Sequence, residues 1–144
     1  EPESLTVARH PLSPRRSPLA FFRNIVMTRR LAREVDVVHA LDAWPFGVYG
    51  YAGVLGTEKK FFINGVGTYS VAPLYSPWLG WIVRRAYGAS EKIFCISAYT
   101  KKQLLQASIS VDKLTVVHLG SDALPALSPE EEEKFRLLEL RDGT

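Results

Sequence analysis

The chain has one cysteine, Cys95, so no internal disulfide can form. Cys95 stands between Ile93, Phe94 and Ile96, an apolar setting that suits a buried, inert thiol. A reducing, cytoplasmic environment agrees with this without being required by it. Histidine is also scarce. His10, His39 and His118 are far apart and lack a ligand spacing such as H-E-x-x-H, so no metal site is expected. No nucleophile elbow accompanies a Ser-His-Asp set, which argues against a serine hydrolase. No secretory signal and no internal repeat are visible. Phe61 to Val83 carries no charge and is long enough to raise a membrane span. It contains Asn64, Gly65, Gly67, Thr68, Pro73, Pro77 and Gly80, which would break a lipid-exposed helix. The segment reads as strand, loop and helix start.

What is present is ordinary in amount and uneven in place. Of 144 residues, 47% are hydrophobic and 23% charged, enough for one domain with a sizeable core. The net charge of +3 is not evenly spread. Arg9, Arg15, Arg16, Arg23, Arg29, Arg30 and Arg33 crowd the first quarter, and Glu130 to Glu133 form an acidic run near the end. A basic face of this kind is either a solvated surface or a contact for an anionic partner. No recognised nucleic-acid module or stacking motif accompanies it, and no nucleic-acid partner is expected.

Apolar runs rich in branched residues recur at Leu5–Arg9, Asp36–Leu41, Lys60–Asn64, Lys92–Ser97 and Leu114–His118, separated by stretches of helical length. Alternating strands and helices predict an α/β domain with a parallel Rossmann-like sheet and helices on both faces. Ser17 and Pro18 suit the N-cap and first position of a helix running to about Arg33. Phe21, Phe22, Ile25 and Val26 would form its packing face. A second helix is expected over Pro45 to Leu55, ended by Gly56, with Gly47, Gly50 and Gly53 allowing close approach along one side. A third runs from about Pro77 to Tyr87, and Ser97 caps a fourth reaching about Ala107. Residues 1–124 make the domain. Residues 125–144, with Pro125, Pro129 and a short acidic helix at Glu130 to Leu140, read as a linker and the start of something further.

In parallel sheets ligands gather beyond the carboxyl ends of the strands. His39 and Asp42 close one strand there, and are either ligands for a polar molecule or buried side chains satisfied within the protein. Gly65-x-Gly67-x-x-Ser70 misses the dinucleotide fingerprint at its third glycine, and Pro73 and Pro77 delay the helix a pyrophosphate would need. Its glycines still allow backbone to approach a ligand closely, and the segment is either a substrate-contacting loop or a plain turn. Ser97 would cap amides that can alternatively hold a phosphate, with Lys101 and Lys102 one turn on. Glu131 and Glu139 show an E-x7-E spacing that an acidic run produces by chance.

Four ordered segments resemble the N-terminal domain of glycosyltransferase family 4, one half of a GT-B fold. Asp36-Val37-Val38-His39-Ala40-Leu41-Asp42 with Pro45 resembles that family's "DVVH…D…P" strand end. Gly65 to Leu74 resembles its "HGTYAV.PL" loop, and Ile96 to Leu104 its "vSxyTxxxL". Lys113 to Asp122 resembles "KixVixnGvD". The resemblance implies transfer of a sugar from a nucleotide-sugar donor to an acceptor hydroxyl. It implies retention of anomeric configuration and no bound metal or other cofactor. The N-terminal half mainly holds the sugar acceptor, and a C-terminal half, missing after Thr144, mainly holds the nucleotide sugar. Carried onto this chain, substrate binding falls to His39, Asp42, Gly65, Gly67, Thr68, Tyr69, Ser97, Thr100, Gly120 and Asp122. Val66 occupies the usual histidine position, so the catalytic residue is unknown. The Gly-rich loop after the family's first strand is also missing. The expected function is therefore the acceptor-side half of a retaining glycosyltransferase, inactive as an isolated piece. The alternative is a non-catalytic carbohydrate- or nucleotide-binding module. The aromatics and arginines of Pro18–Arg33 and Trp78–Arg85 are either core packing with solvated arginines or a contact for an anionic membrane surface. That gives a cytoplasmic protein, either free or peripheral on the inner face of the membrane.

Overall fold

The computed structural model describes Leu12 and residues 17–118. The expected strand at Leu5–Arg9, the linker and the acidic helix at Glu130 to Leu140 lie outside that range. Within it the chain alternates as its apolar runs predict. The strands are β1 (Val37–Ala40), β2 (Lys60–Gly65), β3 (Lys92–Cys95) and β4 (Leu114–Val116). The helices are α1 (Pro18–Leu31), α2 (Val48–Val54), α3 (Thr68–Val71), α4 (Gly80–Ala89) and α5 (Ala98–Gln106). All three strand pairs are parallel and the spatial order is β1-β2-β3-β4. Among the described residues this is the α/β parallel sheet that the alternation anticipates.

Sequential order and right-handed crossovers place α2, α4 and α5 on one face of the sheet. The strand residues pointing that way, Phe61, Ile63, Ile93, Cys95 and Leu114, join Val48, Val83, Ala86, Tyr87 and Leu104 of the helices in one core cluster. Phe61 is 1% exposed, and Ile63, Ile93 and Cys95 are fully buried. The buried thiol has its pKa raised by desolvation, as an inert structural cysteine should. Residues of opposite parity, Val37, His39, Phe62, Asn64, Phe94 and Thr115, form the other face, which is half-open or exposed.

Local rules set the helix ends. Ser17 Oγ accepts from Ala20 N–H at 3.2 Å at the start of α1, and Arg29 and Arg30 sit in its last turn. Lys113 Nζ donates to the carbonyls of Gly88 and Ser90 at the end of α4, and Arg84 donates to Ala107 O at the end of α5. The packing face of α1 differs from the one expected. Phe22 and Val26 are 64% and 58% exposed. Ala20, Asn24 and Ala32 are the buried ones, with Phe21 ringed by Trp44 and Tyr49. The reason is closeness to α2, where a Cβ on Gly53 would lie 3.2 Å from Thr28 and 3.3 Å from Ala32. Small residues meet where two helices approach this tightly, and bulky ones are turned out.

α2 is shorter than expected. A wide turn at Ala43–Gly47, containing a cis Trp44–Pro45 peptide, precedes it. Its glycines serve packing: a Cβ on Gly50 would sit 2.5 Å from the Phe61 ring. Gly88, in α4, has nothing within 4 Å of such a Cβ. Gly50→Ala should therefore destabilise the fold by about 1–3 kcal/mol through overpacking. Gly88→Ala should stabilise it by roughly 0.5–1 kcal/mol through helix propensity. Urea unfolding of the two variants beside the parent chain checks the opposite signs.

Candidate functional site

The crossover rule brings every strand exit to one end of the sheet, and the loops there touch. α3, which follows β2, packs against both the Ala43–Gly47 turn after β1 and α5 after β3. The rim is held by a hydrogen-bond hub at Ser70, which is fully buried. Ser70 Oγ–H donates to Asp42 Oδ1 at 2.5 Å, and the same oxygen accepts from Val66 N–H at 2.7 Å. Asp42 Oδ1 also accepts from Ala43 N–H at 2.7 Å. The Tyr87 phenol donates to the Ser70 carbonyl at 2.8 Å, and burial pushes its pKa up. One serine thus ties the exit of β1 to the exit of β2 and anchors both on α4.

Asp42 Oδ1 is accordingly committed to the protein, and the side chain is half-buried. His39 goes elsewhere. It lies inside β1 and on the open sheet face, its Nε2 2.9 Å from Asn64 Oδ1, with edge-on contacts to Phe62 and Phe94. Asn64 Oδ1 is an acceptor, so Nε2 carries the proton of that bond. His39 thus faces the open side of the sheet, while Asp42, two residues past the end of β1, turns to the Ser70 hub.

The loop after β2 forms the middle of the rim. Gly65 is buried, and a Cβ there would touch Thr100 Cγ2 at 3.5 Å and Cys95 at 3.6 Å. Gly67 has φ +64° and ψ −144°, a conformation that a side chain strains. Val66, Thr68 and Tyr69 are exposed, Tyr69 by 66%. On the neighbouring exit, Ser97 Oγ accepts from Thr100 N–H at 3.1 Å and pairs with Thr100 Oγ1 at the same distance. Ser97 is thus a helix cap, and buried Thr100 packs under Gly65. Gly120 and Asp122 lie outside the described residues. Among those residues no three His, Cys, Asp or Glu side chains gather where they could hold a metal ion, and no helix is long and apolar enough to cross a membrane.

A sequence profile for Glycosyltransferase Family 4 matches residues 1–123. The chain belongs to glycosyltransferase family 4. No curated protein matches it closely enough to count as a relative. The family's half-GT-B architecture agrees with the four-stranded parallel sheet, and the segments resembling it surround one rim: Asp42 with Pro45, Gly65 to Leu74, and Ile96 to Leu104. Ser70 is the residue that sequence reasoning passed over. Its signal was the third position of Gly65-x-Gly67-x-x-Ser70, where a hydroxyl replaces the third glycine of the fingerprint and closes the loop on Asp42.

Ser70→Ala removes the donor to Asp42 and the acceptor of Val66 N–H, and should cost about 1–3 kcal/mol in chemical unfolding. Asp42 adds a pH dependence. Desolvation holds its carboxyl above the ordinary carboxylate range, opposed by the Ser70 and Ala43 hydrogen bonds. The folded state therefore holds this proton more tightly than the unfolded state. The associated stability is full below the ordinary value and is lost as pH rises through the raised one. Asn at this position keeps an oxygen for Ala43 and Ser70 but does not titrate. Relative to the parent, Asp42→Asn should gain stability between about pH 4 and neutrality, measured by urea midpoints across that range.

Proposed function

We propose that this domain is the acceptor-side half of a retaining glycosyltransferase whose nucleotide-sugar donor is gripped mainly by a C-terminal half. The observation that supports this reading is the convergence of three strand-exit loops on one rim in a chain of this family. Sugar transfer between two bound substrates asks a protein for positioning and for stabilisation of the departing phosphate charge. The rim suits the first of these. Its loops are fixed by the Ser70 hub, while Val66, Thr68 and Tyr69 face outward.

Val66 favours a second reading. Its isopropyl group sits on the exposed rim, 38% accessible, and neither donates nor accepts a hydrogen bond. A rim that keeps the loop shape without the imidazole fits a carbohydrate- or nucleotide-binding module without turnover. In both readings the chain alone does not transfer sugar.

Amide chemical-shift mapping tests the site. Titration with oligosaccharide acceptors should move the resonances of Gly65 to Tyr69 and Ser97 to Thr100, with no release of nucleotide from nucleotide sugars. Shifts confined to the opposite end of the sheet, or measurable turnover by this chain, would refute the assignment. Val66→His separates the two readings in a protein that includes the donor half. A gain in transfer of at least about tenfold supports the enzyme, and no gain supports the binding module.

A further inference from the structure

Two successive strand exits repeat one small arrangement. After β2 the chain reads Thr68-Tyr69-Ser70, and after β3 it reads Ala98-Tyr99-Thr100. In each, the tyrosine is the second residue of a helix and is turned out, Tyr69 being 66% exposed and Tyr99 71%. In each, the hydroxyl residue that follows is buried and pins the loop from below. Ser70 N–H donates to Gly67 O at 3.2 Å, and Ser70 Oγ joins Val66 to Asp42. Thr100 N–H donates to Ser97 Oγ at 3.1 Å. Backbone beside each tyrosine is therefore held before anything binds, and little ordering cost remains.

The two tyrosines stand on neighbouring elements. α3 packs on α5, and a Cβ on Gly65 would lie 3.5 Å from Thr100, which places the contact at the start of α5. Among the described residues neither phenol makes a hydrogen bond and neither ring meets another ring. A tyrosine ring offers a flat apolar face, and these two faces are left in water on a preformed rim. A pyranose of gluco configuration is their complement. Its substituents are equatorial, so axial C–H bonds fill both ring faces and hydroxyls point outward around the edge. The faces can lie on the tyrosine rings while the edge hydroxyls keep their contact with water or with exposed Thr68. Two separate rings suit successive sugar units better than a single planar base held in a slot.

We infer that Tyr69 and Tyr99 together form a stacking platform for the acceptor, and that this acceptor is a glycan of gluco-configured pyranose rings. The inference rests on the acceptor-side reading given above and adds to it the chemistry of what is held.

The full 144-residue chain is titrated with cellotetraose, with mannotetraose and with uridine monophosphate, and its amide chemical shifts are followed. Cellotetraose should move the amides of Gly67 to Ser70 and Ala98 to Thr100, and its ring C–H protons should receive saturation from the tyrosine rings. The Y69A/Y99A variant should lose at least about tenfold in affinity with an unchanged circular-dichroism melt, since both side chains are outside the core. Y69F/Y99F should stay within about threefold of the parent, because the ring face carries the contact. Equal binding by Y69A/Y99A while the rim amides still move would overturn the stacking and leave the acceptor-side reading in place. Rim shifts with mannotetraose and none with cellotetraose would overturn the choice of glycan, again without touching that reading. If neither saccharide moves the rim amides, whether or not uridine monophosphate does, both fall.

Discussion

Parallel strands cannot be joined by a tight turn, so after each strand the chain must travel back the length of the sheet before the next begins. That constraint arranges the molecule. Helices supply the return path, their handedness puts them on one face, and every strand exit falls at the same end. The core is the strip where alternate strand residues meet those helices, from Phe61 and Ile63 through Ile93 and Cys95 to Leu114. The loops of the rim are neighbours because the topology leaves them no other place.

Proximity alone does not make a rigid rim. Loops carry unpaired backbone groups, and the Ser70 hub satisfies one of them, Val66 N–H, while linking two separate exits. Tyr87 extends the link into α4, so the rim is fastened to the helix layer and not only to the sheet. The division of labour is clear at residue level. Asp42, Ser70, Ser97 and Thr100 hold the loops, and Val66, Thr68 and Tyr69 are left to meet what approaches.

Much of this was legible in the sequence. The β-branched and aromatic runs at Val37, Lys60, Lys92 and Leu114 became strands, and Ser17 and Ser97 cap helices as their positions suggest. What failed to show was choice between faces. α1 is apolar on more than one side, so periodicity did not select its buried stripe, and contact with Gly53 of α2 did. His39 and Asp42 stand close along the chain, but one faces the open side of the sheet and the other the Ser70 hub. The bond between Asp42 and Ser70 spans 28 positions and joins two loops, a relation that no local pattern encodes.

Cys95 gives the core a use of its own. It is the chain's single thiol, lies at the end of β3 against Gly65, and has no solvent exposure. A bulky alkylating reagent reaches it only in molecules whose central strands have parted from the helices covering them. The rate of its modification under native conditions is therefore a gauge of core opening, built into the protein without any added probe.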